Sequence, residues 1–167
     1  MIINQSLLYI IPAVALARTA EIALGEINAR KMLAEGGKEF SPWQRLPIFI
    51  AYAAWLAMLA WRTPEHLAPH GFMIGLFFLS QVTRWWAIVH LGGFWTTRIV
   101  VVPNASKITS GPYRFVSHPI YGVLIFEVFI LSLAFHQLGL GCLFTGITAG
   151  WVFLRMRTES RALQMML

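Results

Sequence analysis

The stretch "YGVLIFEVFILSLAFHQLGLGCLFTGITAGWVFLRMRTES", residues 121–160, decides the fold. Two apolar runs, at about 119–135 and 138–155, are separated by little more than FHQLG. A helix that crosses a bilayer needs roughly 20 residues, or about 17 at the short end. A connection this short permits only a tight antiparallel helical hairpin. Whatever begins its first helix must therefore lie beside whatever ends its second, at the same depth.

Outward from this hairpin, three further apolar runs precede it at about 5–24, 46–61 and 71–91. The second needs its flanks to reach spanning length. Charged residues make up only 12% of the 167-residue chain, against about 25% in a soluble domain. That composition cannot cover a water-facing surface. The expected fold is therefore an all-α integral membrane protein of about five transmembrane helices, with a long cytoplasmic loop and a C-terminal helical hairpin. It forms one domain over 1–167, with three N-terminal spans in 1–91 and the loop, hairpin and C-terminal segment in 92–167. Cys142 is the single cysteine, so no disulfide framework is possible. "AVALA" at 13–17 imitates a signal cleavage site, but "MIINQS" before it carries no positive charge. The first run is expected to stay as a span.

The net charge of +6 raises the question of nucleic acid. The placement of the cations answers it. Arg30, Lys31, Lys38 and Arg45 lie between runs one and two; Arg98, Lys107 and Arg114 between runs three and four; Arg155, Arg157 and Arg161 after run five. The other side has Arg62 alone. This asymmetry predicts the N-terminus outside, and the C-terminus and long loop in the cytoplasm. In a bacterium that membrane is the inner one. No nucleic-acid partner is needed; membrane lipids are the expected surroundings.

Polar residues in the runs are few. Arg18 and Glu21 are three apart and can pair on one helix face. The first helix is expected to continue through "EINARKMLAEGGKEF", ending at Gly36-Gly37; an amphipathic interfacial segment fits the pattern, and a solvated connector is the preferred reading. Glu127 is an intramembrane carboxylate, with Arg84 as its natural counter-ion. A buried structural pair and a substrate contact are both open there. Gly146 and Gly150, with Thr145 and Ala149, predict a close helix-packing face in the fifth run. His66 and His70 have an i, i+4 spacing, but Pro69 interrupts it and no third ligand is near, so no metal site is expected. His90 and His136 sit at helix ends and receive no role.

The chemistry is expected where the hairpin opens. "SGPYRFVSHPIYG" (110–122) closes the longest non-spanning segment, which also holds the β-branched run "RIVVVP" (98–103). A loop of this length inside a compact chain is usually functional. His118-Pro119 opens the fourth helix with proline in its first turn, leaving free N–H groups and the positive dipole end for an anion. "RMRTES" (155–160) ends the fifth helix. The hairpin brings these clusters together, with Arg155 and Glu159 on one helix face.

"TSGPYRFVSHPIYG" followed, after a helical hairpin, by "RMRTESRAL" resembles the signature of the isoprenylcysteine carboxyl methyltransferase family, over roughly 84–163. "FWTTRIVVVPNASKIT" is similar to a bacterial branch that methylates long-chain phenolic or pyrone lipids. The resemblance implies an S-adenosylmethionine-dependent O-methyltransferase acting on a lipophilic acceptor. It implies that Ser106, Lys107 and Ile108 line the cofactor through their backbones, and that Tyr113, His118, Pro119 and Tyr121 wall it. Glu159 would hold its amino or ribose portion. Arg155 would face the acceptor, with Glu127 and Arg84 as further substrate candidates and His118 beside the reaction. Two positions depart from the family pattern. Ser117 stands where an arginine precedes His-Pro, and Ser160 replaces the second glutamate. Each removes a charge, which implies a less anionic acceptor than a prenylcysteine carboxylate. Two other readings stay open on the residues alone. One is an NADPH-dependent membrane reductase of the sterol-reductase type, where a similar His-Pro element serves NADPH. The other is a non-catalytic lipid-binding subunit.

Overall fold

A computed structural model describes residues 4–103, 105 and 108–166. Five helices dominate them: α1 (Gln5–Ala34), α2 (Arg45–Arg62), α3 (Gly71–Leu91), α4 (Pro119–Ala134) and α5 (Leu138–Met166). Three of the five, α1, α3 and α5, are long and apolar enough to cross a membrane. α4 is apolar but has 16 residues, and α2 has 18 with an arginine at each end. α1 and α5, of 30 and 29 residues, extend about 45 Å at about 1.5 Å per residue, against a hydrocarbon core of about 30 Å. Both therefore project beyond it.

The hairpin forms as the sequence dictates. α4 packs between α3 and α5, and the α4–α5 turn is closed by His136 in a left-handed conformation (φ 58°). The close approach is made at Gly141, where an added Cβ would lie 2.9 Å from Ser132 Cβ. Ser132 is fully buried and accepts the indole N–H of Trp55 at 2.9 Å, which ties α2 to α4. Among the described residues the packing face expected at Gly146 and Gly150 meets no partner: nothing lies within 4 Å of a Cβ at either position. The small residues that matter sit one turn earlier, where the hairpin is narrowest.

The polar residues of the spans close into one cluster. Arg84 Nε binds both Glu21 oxygens, at 3.1 and 3.0 Å, and its Nη1 lies 3.3 Å from Glu127. Arg18 Nη1 reaches Glu21 at 3.0 Å and its Nη2 reaches Gln81 at 2.5 Å. Gln81 donates to Glu127 at 2.9 Å, and the Tyr52 hydroxyl donates to it at 3.1 Å. Two cations and two anions thus neutralise each other across α1, α2, α3 and α4. Glu127 is 0% exposed, and both its oxygens are occupied.

At one end of the bundle the fold departs from expectation. Residues 26–40 are not a solvated connector. Strand β1 (Lys38–Phe40) pairs antiparallel with β2 (Ile99–Val101), Glu39 opposite Val100. Asn28 is buried and donates to the carbonyls of Trp95 (2.9 Å) and Gly92 (3.1 Å). Gly25 sits under Thr96–Thr97, where a Cβ would be 3.0 Å from Thr97 N. Arg98 binds Glu26 and reaches Glu39 at 3.0 Å. Its hydrogen bond to Glu26 holds the guanidinium above its ordinary basicity, against partial burial. The long loop is thereby fastened to the projecting end of α1.

Candidate active site

The last turns of α5 and the first turn of α4 lie side by side at the ribbon end. His118 is the N-cap residue of α4 and Pro119 follows in the first turn. Proline there loses no helical hydrogen bond, because first-turn N–H groups have no intrahelical acceptor. The His118 and Tyr121 rings stack, with centroids 5.4 Å apart and planes inclined by 22°. From α5, Arg155 Nε donates to the Tyr121 hydroxyl at 2.9 Å, and that hydroxyl donates to Glu159 at 3.1 Å. His118 Nδ1 is 4.0 Å from the same carboxylate oxygen. Arg155 and Glu159 share a face as the spacing requires, yet the tyrosine stands between them.

Burial separates their roles. Arg155 is 8% exposed; its Nη2 also donates to the Thr97 carbonyl at 2.5 Å. It fastens the loop and Tyr121 together. His118 and Glu159 keep 25% and 32% of their side chains exposed, so a carboxylate and an aromatic face remain open to a ligand. Tyr113 packs against the cluster of Ala87, Ile88, Trp95 and Ile120. Burial pushes its phenol well above the usual range, and the charge of Glu159 pushes it further. Tyr113 is therefore a neutral wall at any physiological pH.

The turn carrying Tyr113 is set by Gly111, which has φ +56°. A Cβ there would fall 2.3 Å from the ring of His90. His90 Nδ1 is 2.8 Å from the Trp86 carbonyl, so it carries the proton. His90, given no role from sequence, is the seat of this turn. Trp95 and Thr97 were also missed. Only the glycine before Pro112 hinted that something bulky lies beneath it.

Of the residues expected at the site, Tyr113, His118, Pro119, Tyr121, Arg155 and Glu159 come together. Ile108 is half-buried in the loop. Ser106 and Lys107 lie outside the described residues. Arg84 and Glu127 belong instead to the buried charge cluster, with Glu127 six residues, about 9 Å of helix, beyond Tyr121. Among the described residues no group of three or more metal-ligating side chains forms; the rings of His70 and His136 lie against each other at a tilt of 38°, with centroids 4.7 Å apart.

An apolar groove of about 450 Å³ runs between α3 and α4 and meets Pro112 and Pro119. Leu76, Leu79, Phe115, Val116 and Phe126 line it. Phe115 and Val116 are 70% and 56% exposed. The Ser80 and Thr83 hydroxyls at its edge donate to the Phe77 and Leu79 carbonyls. The groove offers a hydrocarbon surface beside the polar site.

The model of the isoprenylcysteine carboxyl methyltransferase (ICMT) family matches residues 73–165, from the first turn of α3 through the site to the end of α5. The chain belongs to the ICMT family. Membership makes it a membrane protein of a methyltransferase family. It is also 32% identical over 152 residues to YpbQ of Bacillus subtilis (strain 168), described as an uncharacterized protein. That similarity covers 88% of this chain and 90% of YpbQ, so it takes in part of α1, β1 and α2, which the family model does not reach. No solved structure matches the chain.

Proposed function

We propose that this ICMT-family protein transfers a methyl group from S-adenosylmethionine to an oxygen of a lipophilic acceptor, a carboxylate or a phenolic or enolic hydroxyl, at the cytoplasmic membrane face. The observation that carries this is the Tyr121 hydroxyl held between Arg155 and Glu159, with His118 stacked on its ring. When bound, S-adenosylmethionine supplies an electrophilic methyl group on a sulfonium. The residues present fit such a ligand. The stacked faces of His118 and Tyr121 suit a sulfonium or an adenine. The partly exposed Glu159 suits an ammonium, and the first-turn N–H groups of α4 suit a carboxylate.

Methyl transfer is an in-line displacement, so the protein contributes chiefly by alignment. Arg155 fixes Tyr121 and the Thr97 carbonyl in one frame, which sets the wall against which both substrates lie. A carboxylate acceptor needs no base. A phenol, with a pKa near 10 in water, is favoured as phenolate by the positive charge of Arg155 nearby. The α3–α4 groove gives the acceptor's hydrocarbon tail a place at the side of the same helix terminus. The cation asymmetry supports a cytoplasmic position for this face, on the side where the methyl donor is made.

The test is thermal unfolding in detergent without ligand and with two additions. S-adenosylhomocysteine at about 100 times its Kd should stabilise the protein by about 2.7 kcal/mol, and NADPH should not. Stabilisation by NADPH alone would instead support a reductase. No response to either would support a non-catalytic lipid-binding subunit.

A further inference from the structure

We propose that the indole N–H of Trp95 is a hydrogen-bond donor to the ligand bound at this site. Trp95 is 8% exposed, and its Nε1 has no hydrogen-bond partner among the described residues. Other indole N–H groups of this chain find partners: Trp55 donates to Ser132, and Trp151 to the Gln44 carbonyl at 2.8 Å. A buried unpaired donor is costly, roughly 1–3 kcal/mol, so a persistent one calls for an explanation.

Its surroundings supply one. The ring packs against Ala87, Ile88 and Ile120, with Tyr113 on the same cluster. Ile120 lies between the two α4 residues nearest the site, Pro119 and Tyr121. The backbone of Trp95 is held on both sides. Its N–H donates to the Gly92 carbonyl at 3.1 Å, its carbonyl accepts from Asn28, and Thr97, two residues on, is held by Arg155. The donor is therefore fixed in place by contacts that do not use it, which is how a preorganised binding group is built. Tyr113 packs on the same cluster, and the ligand's acceptor atom reaches the indole beside that ring. The indole is neutral and donates only, so it matches a ring nitrogen or carboxylate oxygen of the methyl donor, or the oxygen-bearing head of the lipid acceptor.

This inference rests on the methyltransferase reading, and one set of spectra separates the two. The protein labelled with ¹⁵N-tryptophan in detergent micelles shows its indole N–H resonances, and Trp95→Phe identifies that of Trp95. If S-adenosylhomocysteine moves this resonance downfield, and Trp95→Phe weakens its binding about three- to tenfold, the partner is on the methyl donor. If it moves only after a long-chain phenol is added, and Trp95→Phe raises the KM for that acceptor alone, the partner is on the lipid. Either result supports the proposal. If S-adenosylhomocysteine binds and neither compound moves the resonance, Trp95 only packs and the proposal is overturned. If the wild-type protein binds no S-adenosylhomocysteine, the methyltransferase reading fails and takes this inference with it. Where Trp95→Phe does not fold, assignment by selective labelling leaves the wild-type titration decisive.

Discussion

Glu127→Ala is expected to destabilise the folded protein by about 3–5 kcal/mol, the cost of removing one partner from a buried ion pair. A single interhelical hydrogen bond in a membrane averages only about 0.6 kcal/mol in measured cycles, so lost bonds alone do not reach this figure. The larger part comes from stranding charge. Without Glu127, Arg84 and Arg18 share Glu21 alone, and one excess positive charge is left among α1, α3 and α4. Glu127→Gln keeps an acceptor for Tyr52 and should behave similarly, because the charge is lost all the same. Arg84→Met combined with Glu127→Leu removes one charge of each sign and should recover most of the loss. Unfolding in mixed micelles measures all four proteins. A loss below about 1 kcal/mol for Glu127→Ala would show that the cluster is solvated or mutually indifferent. Any folded Glu127→Gln protein should keep the wild-type KM for the lipid acceptor, which separates the structural role from the substrate contact considered from sequence.

Glu159→Gln is the counterpart on the functional side. The carboxylate is a third exposed and is bonded to Tyr121. A glutamine oxygen still accepts from the tyrosine, so the fold should survive with a change under about 1 kcal/mol. What disappears is the negative charge available to a cationic ligand. Hydrogen bonds to charged groups are worth about 1.5–3 kcal/mol, so S-adenosylhomocysteine should bind about ten to a hundred times more weakly. Calorimetry on matched preparations decides this. Unchanged affinity would remove Glu159 from the ligand site and leave it as a brace for Tyr121.

What the sequence revealed, and what it hid, divides along one physical line. Features set by neighbours in the chain were legible. FHQLG forces the hairpin, and the hairpin forces His118 beside Arg155 and Glu159. Pro119 marks the first turn of α4, and Arg18 pairs with Glu21 at i, i+3. Features set by partners far along the chain were not. β1 and β2 have three residues each, too few to show alternation, and they pair across some 60 positions. Asn28 and Gly25 look like any connector residues until the 92–97 segment lies on them. Gly146 and Gly150 have the spacing of a packing face, but spacing does not say which side of α5 meets α4; Gly141 answers that. The Arg84–Glu127 pair was legible as two unusual residues in lipid. Its closure with Arg18–Glu21 was not, because that pair already accounted for itself. Tyr121 as the link between Arg155 and Glu159 needed coordinates, since an i, i+4 pair on a helix ordinarily bonds directly.

The central claim is methyl transfer to a lipophilic acceptor, and one measurement reaches it directly. Membranes from cells producing the protein, and from cells producing Glu159→Gln, are incubated with S-adenosylmethionine labelled on the methyl group, and the lipids are extracted into organic solvent. Label is expected in the lipid fraction, in an amount that depends on Glu159. Label released as methanol by mild alkali marks a carboxyl ester, and label that resists alkali marks an ether on a phenolic or enolic oxygen. A lipid fraction whose label is no higher with the wild-type protein than with Glu159→Gln, in membranes where both are folded and present in equal amount, would contradict the account.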